Sequence, residues 1–268
     1  MVESTTASTG DPGGGAVTTN AVATPVRGSS ARAWPDDQLG EIFADDQLSL
    51  RHAVIGMIAA VAGGAAAALA AWFVLRGMSL PAFGGSFVTR AVSSAATVVL
   101  LAVVSALLFV WAMHGAGNRP KWLELLTYAV AYLAPAGLVV TTLAIPLAST
   151  RLYLDGISVD QEFRTEYLTR MAAEPGLNDM AYIDVAPFYP GGWFWLGGRM
   201  ANVLGLPGWE VFQPWALVTL AAAASLLVPV WQRLSGSLPA AAGIALVTTA
   251  VTLSTTADEP YAAVVAMG

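Results

Sequence analysis

The chain has 268 residues, of which 56% are hydrophobic and only 11% charged, and its mean hydropathy is +0.63. Because an ordinary soluble domain has about 25% charged residues, this composition predicts a membrane protein. The lack of cysteine excludes disulfides and thiolate chemistry, the net charge of −6 leaves no basic surface for nucleic acid, and the two histidines are too scattered to form a metal-binding cluster.

Residues 1–50 form a polar N-terminal tail rich in Gly, Thr, Ser, Ala and Pro. Such a composition buries too little apolar area to offset the entropy of ordering the chain, so we predict that the tail is disordered. It lacks a basic region followed directly by a short apolar core, which would mark a cleaved signal peptide. We therefore expect the first membrane span to act as an uncleaved anchor.

Five later segments are apolar and long enough to cross a bilayer as helices, which needs roughly 20 residues each. In the first of them, Gly63-Gly64 and the following alanines indicate a face that a second helix can approach closely. The predicted fold is an all-α, polytopic membrane protein with about five transmembrane helices. The segments are 52–75, 87–113, 122–148, 212–231 and 239–256.

The basic residues of the short connections predict how the chain is oriented, because such residues favour the cytoplasm. Five spans place Arg51, Arg119, Lys121 and Arg233 together on one side. The long connection 149–211 then faces the exterior or periplasm. Arg76 and Arg90 argue against this orientation, since they fall on the external side.

The first half of the long connection predicts a helix that begins at Ser158 and ends near Glu174-Pro175, with Ser158 and Gln161 as a capping box. Its apolar and charged residues recur at the helical period on different sides, which predicts an amphipathic helix suited to the membrane surface. Asp160 lies in the first turn, four residues before Arg164. It has two interpretations: a carboxylate that complements the helix dipole and pairs with Arg164, or a functional group.

The second half is crowded with aromatic residues between Tyr182 and Trp195. One interpretation is an interfacial belt, where Trp and Tyr prefer to lie. The other is a platform for sugar rings, with hydroxyl contacts from carboxylates such as Asp179 and Asp184. The apolar stretch 188–206 is short and interrupted, so it favours an interfacial or re-entrant helix over a full span.

Two runs in this connection resemble a known family: Ser-Val-Asp-Gln-Glu-Phe-Arg from Ser158, and Phe-Tyr-Pro-x-Gly-Trp-Phe-Trp from Phe188. They are similar to the N-terminal domain of actinobacterial galactan 5-O-arabinofuranosyltransferases, membrane enzymes of the GT-C class. The resemblance covers 51–268, with 149–211 as the catalytic loop. Three spans rather than one precede the loop, and full-length relatives are longer, so we expect the N-terminal part of a longer enzyme.

The resemblance implies an inverting transfer of arabinofuranose from decaprenyl phosphate to the 5-hydroxyl of galactan during arabinogalactan synthesis. Asp160 then matches the general base, and Arg164 is the candidate for holding the donor phosphate. No cofactor is required with certainty, although Asp155, Asp160 and Asp184 could supply oxygen ligands to a divalent cation. The candidate substrate-binding residues are Gln161, Arg164, Asp184, Tyr189, Trp193, Trp195 and Arg199.

Two other functions remain open at this point. A transporter or flippase of a lipid-linked sugar would carry ionisable residues along a path through its spans, and these spans contain almost none. A non-catalytic module that anchors a partner through the external loop would need only the aromatic surface. In each case the sequence predicts a multi-pass protein of the cell membrane.

Overall fold

The computed structural model describes residues 46–182, 184–187 and 189–267, and within these the secondary structure is helical throughout. The third helix continues beyond Val139 through a π-helical turn, Val140–Ala144, and a last turn, Ile145–Leu147. Two short 3₁₀ turns connect helices, at Phe83–Gly85 and Ala116–Asn118. The α-helices are α1 (Leu50–Arg76), α2 (Phe87–Met113), α3 (Lys121–Val139), α4 (Val159–Ala173), α5 (Gly191–Leu204), α6 (Gly208–Ser235), α7 (Leu238–Thr256) and α8 (Pro260–Met267).

Five helices are long and apolar enough to cross a membrane: α1, α2, α3 with its continuation to Leu147, α6 and α7. Helices of 27 residues such as α1 and α2 are about 40 Å long, which exceeds the roughly 30 Å of the hydrocarbon core. The predicted number and positions of these candidate membrane-spanning helices are confirmed. Three of the five precede the long connection. The predicted short helix within 188–206 is α5, whose 14 residues extend only about 21 Å.

The bundle is built around α6, and α1 packs along it through a stripe of small residues. Gly64 shows how close the approach is: a Cβ there would lie 2.6 Å from Ser225 Oγ and 2.7 Å from the Ala221 carbonyl oxygen. The predicted small-residue face of the first span is therefore confirmed. Its buried members are Ala53, Gly56, Ala60, Gly64 and Ala68.

One end of the bundle, the Asp46 end, is closed by a buried ion pair. Asp46 Oδ1 lies 2.5 Å from Arg119 Nη1, and Asp46 Oδ2 accepts a 2.8 Å hydrogen bond from the Trp111 indole. Arg233 donates to the Leu48 carbonyl at the same end. Asp46 and Leu48, near the end of the predicted tail 1–50, are therefore held by side chains of the bundle. Residues 1–45 of that tail lie outside the described residues.

We expect Asp46→Asn to lower the free energy of unfolding by about 3 kcal/mol, because it leaves the Arg119 guanidinium buried without a charged partner. Both side chains are less than a tenth exposed, at 9% for Arg119 and 8% for Asp46. Thermal unfolding in detergent micelles would measure the effect. Asp155→Asn, at an exposed position, is the matched control. Equal stability of the two variants would contradict a stabilising role for this pair.

Candidate active site

The site is built on α4, which begins and ends where the sequence predicts. Ser158 is the residue before its first turn, but its hydroxyl makes no hydrogen bond to the helix. Gln161 does not reach back to Ser158 either, because its Nε2 donates a 2.8 Å hydrogen bond to the Asp258 carbonyl. The predicted capping box is therefore wrong. Gln161 is only 1% exposed, and a buried amide must find a partner inside the protein rather than at a solvated helix end.

Arg164 also turns inward and is 3% exposed. Its Nη2 lies 2.5 Å from Glu259 Oε1, and its Nη1 donates 3.0 Å to the Asp258 carbonyl. The guanidinium thus binds the turn between α7 and α8, some 95 residues further along the chain. The predicted pairing of Arg164 with Asp160 is wrong, because two acceptors at this turn satisfy a buried cation that could not stay at the surface of α4.

Tyr153 is the third side chain that holds this turn, donating 2.7 Å to the Ala257 carbonyl. Burial raises the pKa of the Tyr153 phenol, and the nearby Asp258 carboxylate raises it further. Burial likewise raises the pKa of Tyr261, in α8, to about 12. Both hydroxyls therefore stay protonated at neutral pH, and the Tyr153 donor remains available to its carbonyl acceptor.

Two buried atoms of α4 make no hydrogen bond within the part of the chain that the structure describes. They are Gln161 Oε1 and Arg164 Nε. Residues three apart on a helix share one face. A buried polar atom without a partner costs roughly 1–3 kcal/mol, so this face is a place where a bound hydroxyl or water would be stabilised.

Aromatic rings fill the space between α4, α5 and α8. The Tyr189 ring lies 5.0 Å from that of Phe163 and 5.6 Å from that of Tyr261. Trp193 packs deeper, 5.5 Å from Phe212, and its indole donates 3.1 Å to the hydroxyl of Thr219 on α6. These rings join the long connection to α6. Tyr189 and Trp193 are thus brought close to Arg164, as members of one cluster.

An open cavity of about 560 Å³, here called the aromatic cavity, lies at the surface of this cluster. Asp160 is exposed at the start of α4, one helical turn before Phe163, which lines the cavity. The two residues share a face of the helix by their i, i+3 spacing. The lining residues are Phe163, Asp179, Ala181, Tyr182, Val185 and Tyr189. Asp160 thus lies one turn of α4 away from a residue that lines this cavity, whose walls are mainly apolar and aromatic side chains.

Two predicted substrate-binding residues, Trp195 and Arg199, make their hydrogen bonds away from this cluster. Trp195 donates 3.0 Å to the Pro175 carbonyl, and Arg199 donates to the carbonyls of Met171, Ala172 and Glu174 at the end of α4. Both therefore hold α5 against α4 rather than face the aromatic cavity. Asp184 is exposed in the short segment 184–187.

The carboxylates proposed as cation ligands, Asp155, Asp160 and Asp184, are all exposed. Among the described residues no three His, Asp or Glu side chains come together as a potential metal site. Asp155 instead shapes the turn before α4, where it and Gly156 take left-handed φ values of 61° and 65°. Aspartate tolerates that conformation better than most residues do.

Sequence reasoning missed Asp258, Glu259 and Tyr261, which meet Arg164 from the far end of α7. The sequence nevertheless contains a signal for these residues. Five spans place 257–268 on the same side of the membrane as 149–211, and an acidic pair directly after the last span is a natural partner for a buried arginine of the loop.

We expect Gly198→Ala to destabilise the packing of α5 on α4 by about 2 kcal/mol. A Cβ at Gly198 would lie 2.4 Å from the Met171 carbonyl carbon and 2.7 Å from the Ala172 amide nitrogen, so backbone must move. Gly192→Ala in the same helix is the control, because nothing lies within 4 Å of its Cβ. Limited proteolysis within 149–211 would report the change. Equal cleavage rates for both variants would show that this close contact is not stabilising.

Comparison with known proteins gives a consistent result. The family model for the arabinofuranosyltransferase N-terminal region matches residues 56–268. A galactan 5-O-arabinofuranosyltransferase of Corynebacterium glutamicum is 55% identical over 240 residues, which covers 85% of this chain and 36% of that protein. A protein of the same name from Mycobacterium tuberculosis is 39% identical over 209 residues, or 78% of this chain and 31% of its own length.

A third relative of that name, from Mycolicibacterium smegmatis, is 50% identical over 129 residues, covering 47% of this chain and 20% of the relative. The chain spans about a third of the length of the first relatives it matches. The family model covers most of the chain, including all five candidate membrane spans apart from the start of α1. The chain therefore belongs to the arabinofuranosyltransferase N-terminal family.

Proposed function

We propose that residues 51–268 form the membrane domain of a galactan 5-O-arabinofuranosyltransferase, with 149–211 as its catalytic loop. The observation that carries the proposal is the family match over 56–268, which includes α4 and the aromatic cavity. The names of the relatives specify the galactan acceptor and the 5-hydroxyl. The donor we propose is decaprenylphosphoryl arabinofuranose, a lipid substrate suited to a protein with five apolar helices.

In the proposed reaction, the 5-hydroxyl oxygen of a galactan residue attacks the anomeric carbon of the arabinose. The bond from that carbon to the phosphate oxygen breaks, and decaprenyl phosphate leaves with the bonding electron pair. Asp160 takes the hydroxyl proton as the attack proceeds. Attack from the face opposite the phosphate inverts the anomeric configuration. A single base is sufficient, because the sugar is already activated by its bond to phosphate.

We place the galactan acceptor in the aromatic cavity, where Phe163, Tyr182 and Tyr189 offer ring faces to the C–H faces of sugars. Its volume of about 560 Å³ is in the range of small-molecule sites. Asp179 Oδ1 accepts hydrogen bonds from the amides of Ala181 and Tyr182, so its role is to shape the loop that carries Tyr182. Trp193, in α5, contacts Phe212 of α6 and Tyr261 of α8 and so holds α5 against both helices.

For Arg164 we propose a positioning role. Its charge is already balanced by Glu259 at 2.5 Å, and its burial leaves little access for a donor phosphate. It fixes α4 to the turn between α7 and α8, and so fixes Asp160 one turn earlier on the same helix. Its Nε and Gln161 Oε1 are buried and make no hydrogen bond within the described residues, so an ordered water would satisfy them.

We propose a multi-pass arrangement in the cell membrane with the Asp46 end in the cytoplasm and 149–211 outside. Arg119 and Arg233, which predicted this orientation, gather at the Asp46 end. The transporter hypothesis is less well supported. The ionisable residues of the described spans lie near helix ends, whereas a transport path needs them at mid-membrane depth.

The function is tested in cells whose own galactan arabinofuranosyltransferase is depleted and replaced by the intact protein. We expect the arabinose content of the cell-wall galactan to be restored. Unmodified galactan, despite normal abundance of the protein in the membrane, would contradict the enzymatic function and favour a non-catalytic module. Restored lipid-linked arabinose outside the cell without arabinose on galactan would favour a flippase.

A further inference from the structure

A second cavity, of about 240 Å³, lies at the end of the bundle from which α4 emerges and shares no lining residue with the aromatic cavity. It opens where α1 ends, where the chain leaves α3 and where α6 begins. The side chains that define it are Trp72, Arg76, Arg151, Glu210 and Gln213. We call it the arginine cavity.

Gln213 is the fixed centre of the arginine cavity. Its Oε1 accepts a 2.9 Å hydrogen bond from the Trp72 indole, and its Nε2 donates to the carbonyls of Thr150 and Leu152 at 3.1 and 2.8 Å. This side chain is 4% exposed. One buried amide thus ties α1, α6 and the chain leaving α3 together, and this gives the cavity a defined shape.

The two arginines of the cavity, in contrast, keep unused hydrogen-bond donors. Arg76 stacks over the Trp72 ring at 4.9 Å and forms no ion pair or hydrogen bond with the residues that the structure describes. Arg151 lies 3.7 Å from Glu210, and its side chain is 65% exposed. Each guanidinium carries five N–H donors, and two arginines against one glutamate leave a net positive charge. The arginine cavity is therefore suited to an anion.

The position of the cavity indicates where that anion comes from. Arg76 is the last residue of a membrane-spanning helix, and Trp72, one turn earlier, is a residue type that prefers the headgroup level of a bilayer. In the proposed orientation Arg76 lies on the external side, where basic residues are disfavoured. Binding of a phosphate at headgroup level accounts for a cation at this position.

We propose that Arg76 and Arg151 bind the phosphate group of a membrane lipid in the arginine cavity. Both guanidiniums can donate to phosphate oxygens in the bidentate geometry that arginine favours. Glu210 limits the affinity, because its carboxylate competes for Arg151. A volume of about 240 Å³ holds roughly eight water molecules, enough for a phosphate and the first atoms of its alcohol. The lipid is either a bilayer phospholipid or a polyprenyl phosphate, and the proposal does not depend on the arabinosyl transfer.

The test is a lipid titration of the intact, delipidated protein in detergent, followed by native mass spectrometry. The probes are phosphatidylglycerol, decaprenyl phosphate and uncharged diacylglycerol, and inorganic phosphate is added as a competitor. We expect at least one phosphate-bearing lipid to bind and diacylglycerol not to bind. Arg76→Gln and Arg151→Gln should each weaken binding about fivefold or more. Arg90→Gln is the matched control, because Arg90 lies on the same side but donates to the Phe83 and Gly84 carbonyls.

Glu210→Gln should strengthen binding, since it removes the carboxylate that pairs with Arg151 at 3.7 Å. A gain of affinity cannot arise from misfolding, so this variant separates binding from structural damage. Preference for decaprenyl phosphate would identify the polyprenyl lipid as the ligand, and equal binding of both lipids would identify the phosphate alone as the recognised group. Unchanged binding in both arginine variants, equal binding of diacylglycerol, or binding of inorganic phosphate without either lipid would overturn the proposal.

Discussion

Asp160→Asn is expected to lower arabinosyl transfer by about 10²- to 10⁴-fold while the abundance of the protein in the membrane stays normal. The substituted amide has nearly the same shape as the carboxylate but cannot accept the proton of the attacking hydroxyl. Because Asp160 is exposed and makes no ion pair with other described residues, its substitution leaves the fold almost unperturbed. Transfer from labelled decaprenylphosphoryl arabinose, per unit of membrane-bound protein, measures the effect.

Glu162→Gln provides the matched control for this experiment. Glu162 is also an exposed carboxylate in the first turn of α4, so both substitutions remove one favourable interaction with the helix dipole, worth about 0.3–1 kcal/mol. We expect near-normal transfer from Glu162→Gln. Equal transfer by the Asp160 and Glu162 variants would mean that the first-turn carboxylates serve only the helix.

Arg164→Gln is expected to lower by about 2 kcal/mol the free energy that docks α4 onto the turn between α7 and α8. It removes the 2.5 Å contact with Glu259 and the 3.0 Å hydrogen bond to the Asp258 carbonyl. The cost stays below that of a fully buried pair, because the Glu259 side chain is 38% exposed and regains water. Hydrogen exchange of the α4 amides would measure the loosening.

The pair can be tested separately from general damage by a double-mutant cycle with Glu259→Gln. If the two side chains act through each other, the double variant should be less destabilised than the sum of the single variants, by about 1–2 kcal/mol. Transfer should fall in Arg164→Gln through misplacement of Asp160, with kcat affected more than KM. Strict additivity of the two substitutions would refute the direct coupling of Arg164 to Glu259.

The membrane helices could be predicted from the sequence because each depends on a local property, an apolar length that matches the bilayer. The small-residue stripe around Gly64 was equally local, since it needs only the helical period. The partner of Arg164 could not be found this way, because Glu259 is 95 residues distant and is brought near by the return of α7 to the loop side of the bundle. Spacing along α4 favoured Asp160 instead.

The residues predicted to bind substrate separated in the structure for a physical reason. The last carbonyls of α4 need donors that the helix itself cannot supply, and Arg199 satisfies three of them from α5. Trp195 donates to the Pro175 carbonyl, just after the end of α4. Tyr189, by contrast, lines the aromatic cavity. An aromatic or basic side chain is used for packing where it meets the end of another helix. Because such meetings depend on the tertiary fold, the sequence alone does not predict them.

The most direct measurement of the central proposal uses the purified intact protein, reconstituted with decaprenylphosphoryl arabinofuranose and a galactan oligosaccharide. Mass spectrometry and nuclear magnetic resonance of the product would show what is transferred and with which linkage. We predict an arabinofuranosyl residue on the 5-hydroxyl of galactan, with inverted anomeric configuration and with release of decaprenyl phosphate. Consumption of the donor without a new glycoside, or retention of the anomeric configuration, would contradict the proposed reaction.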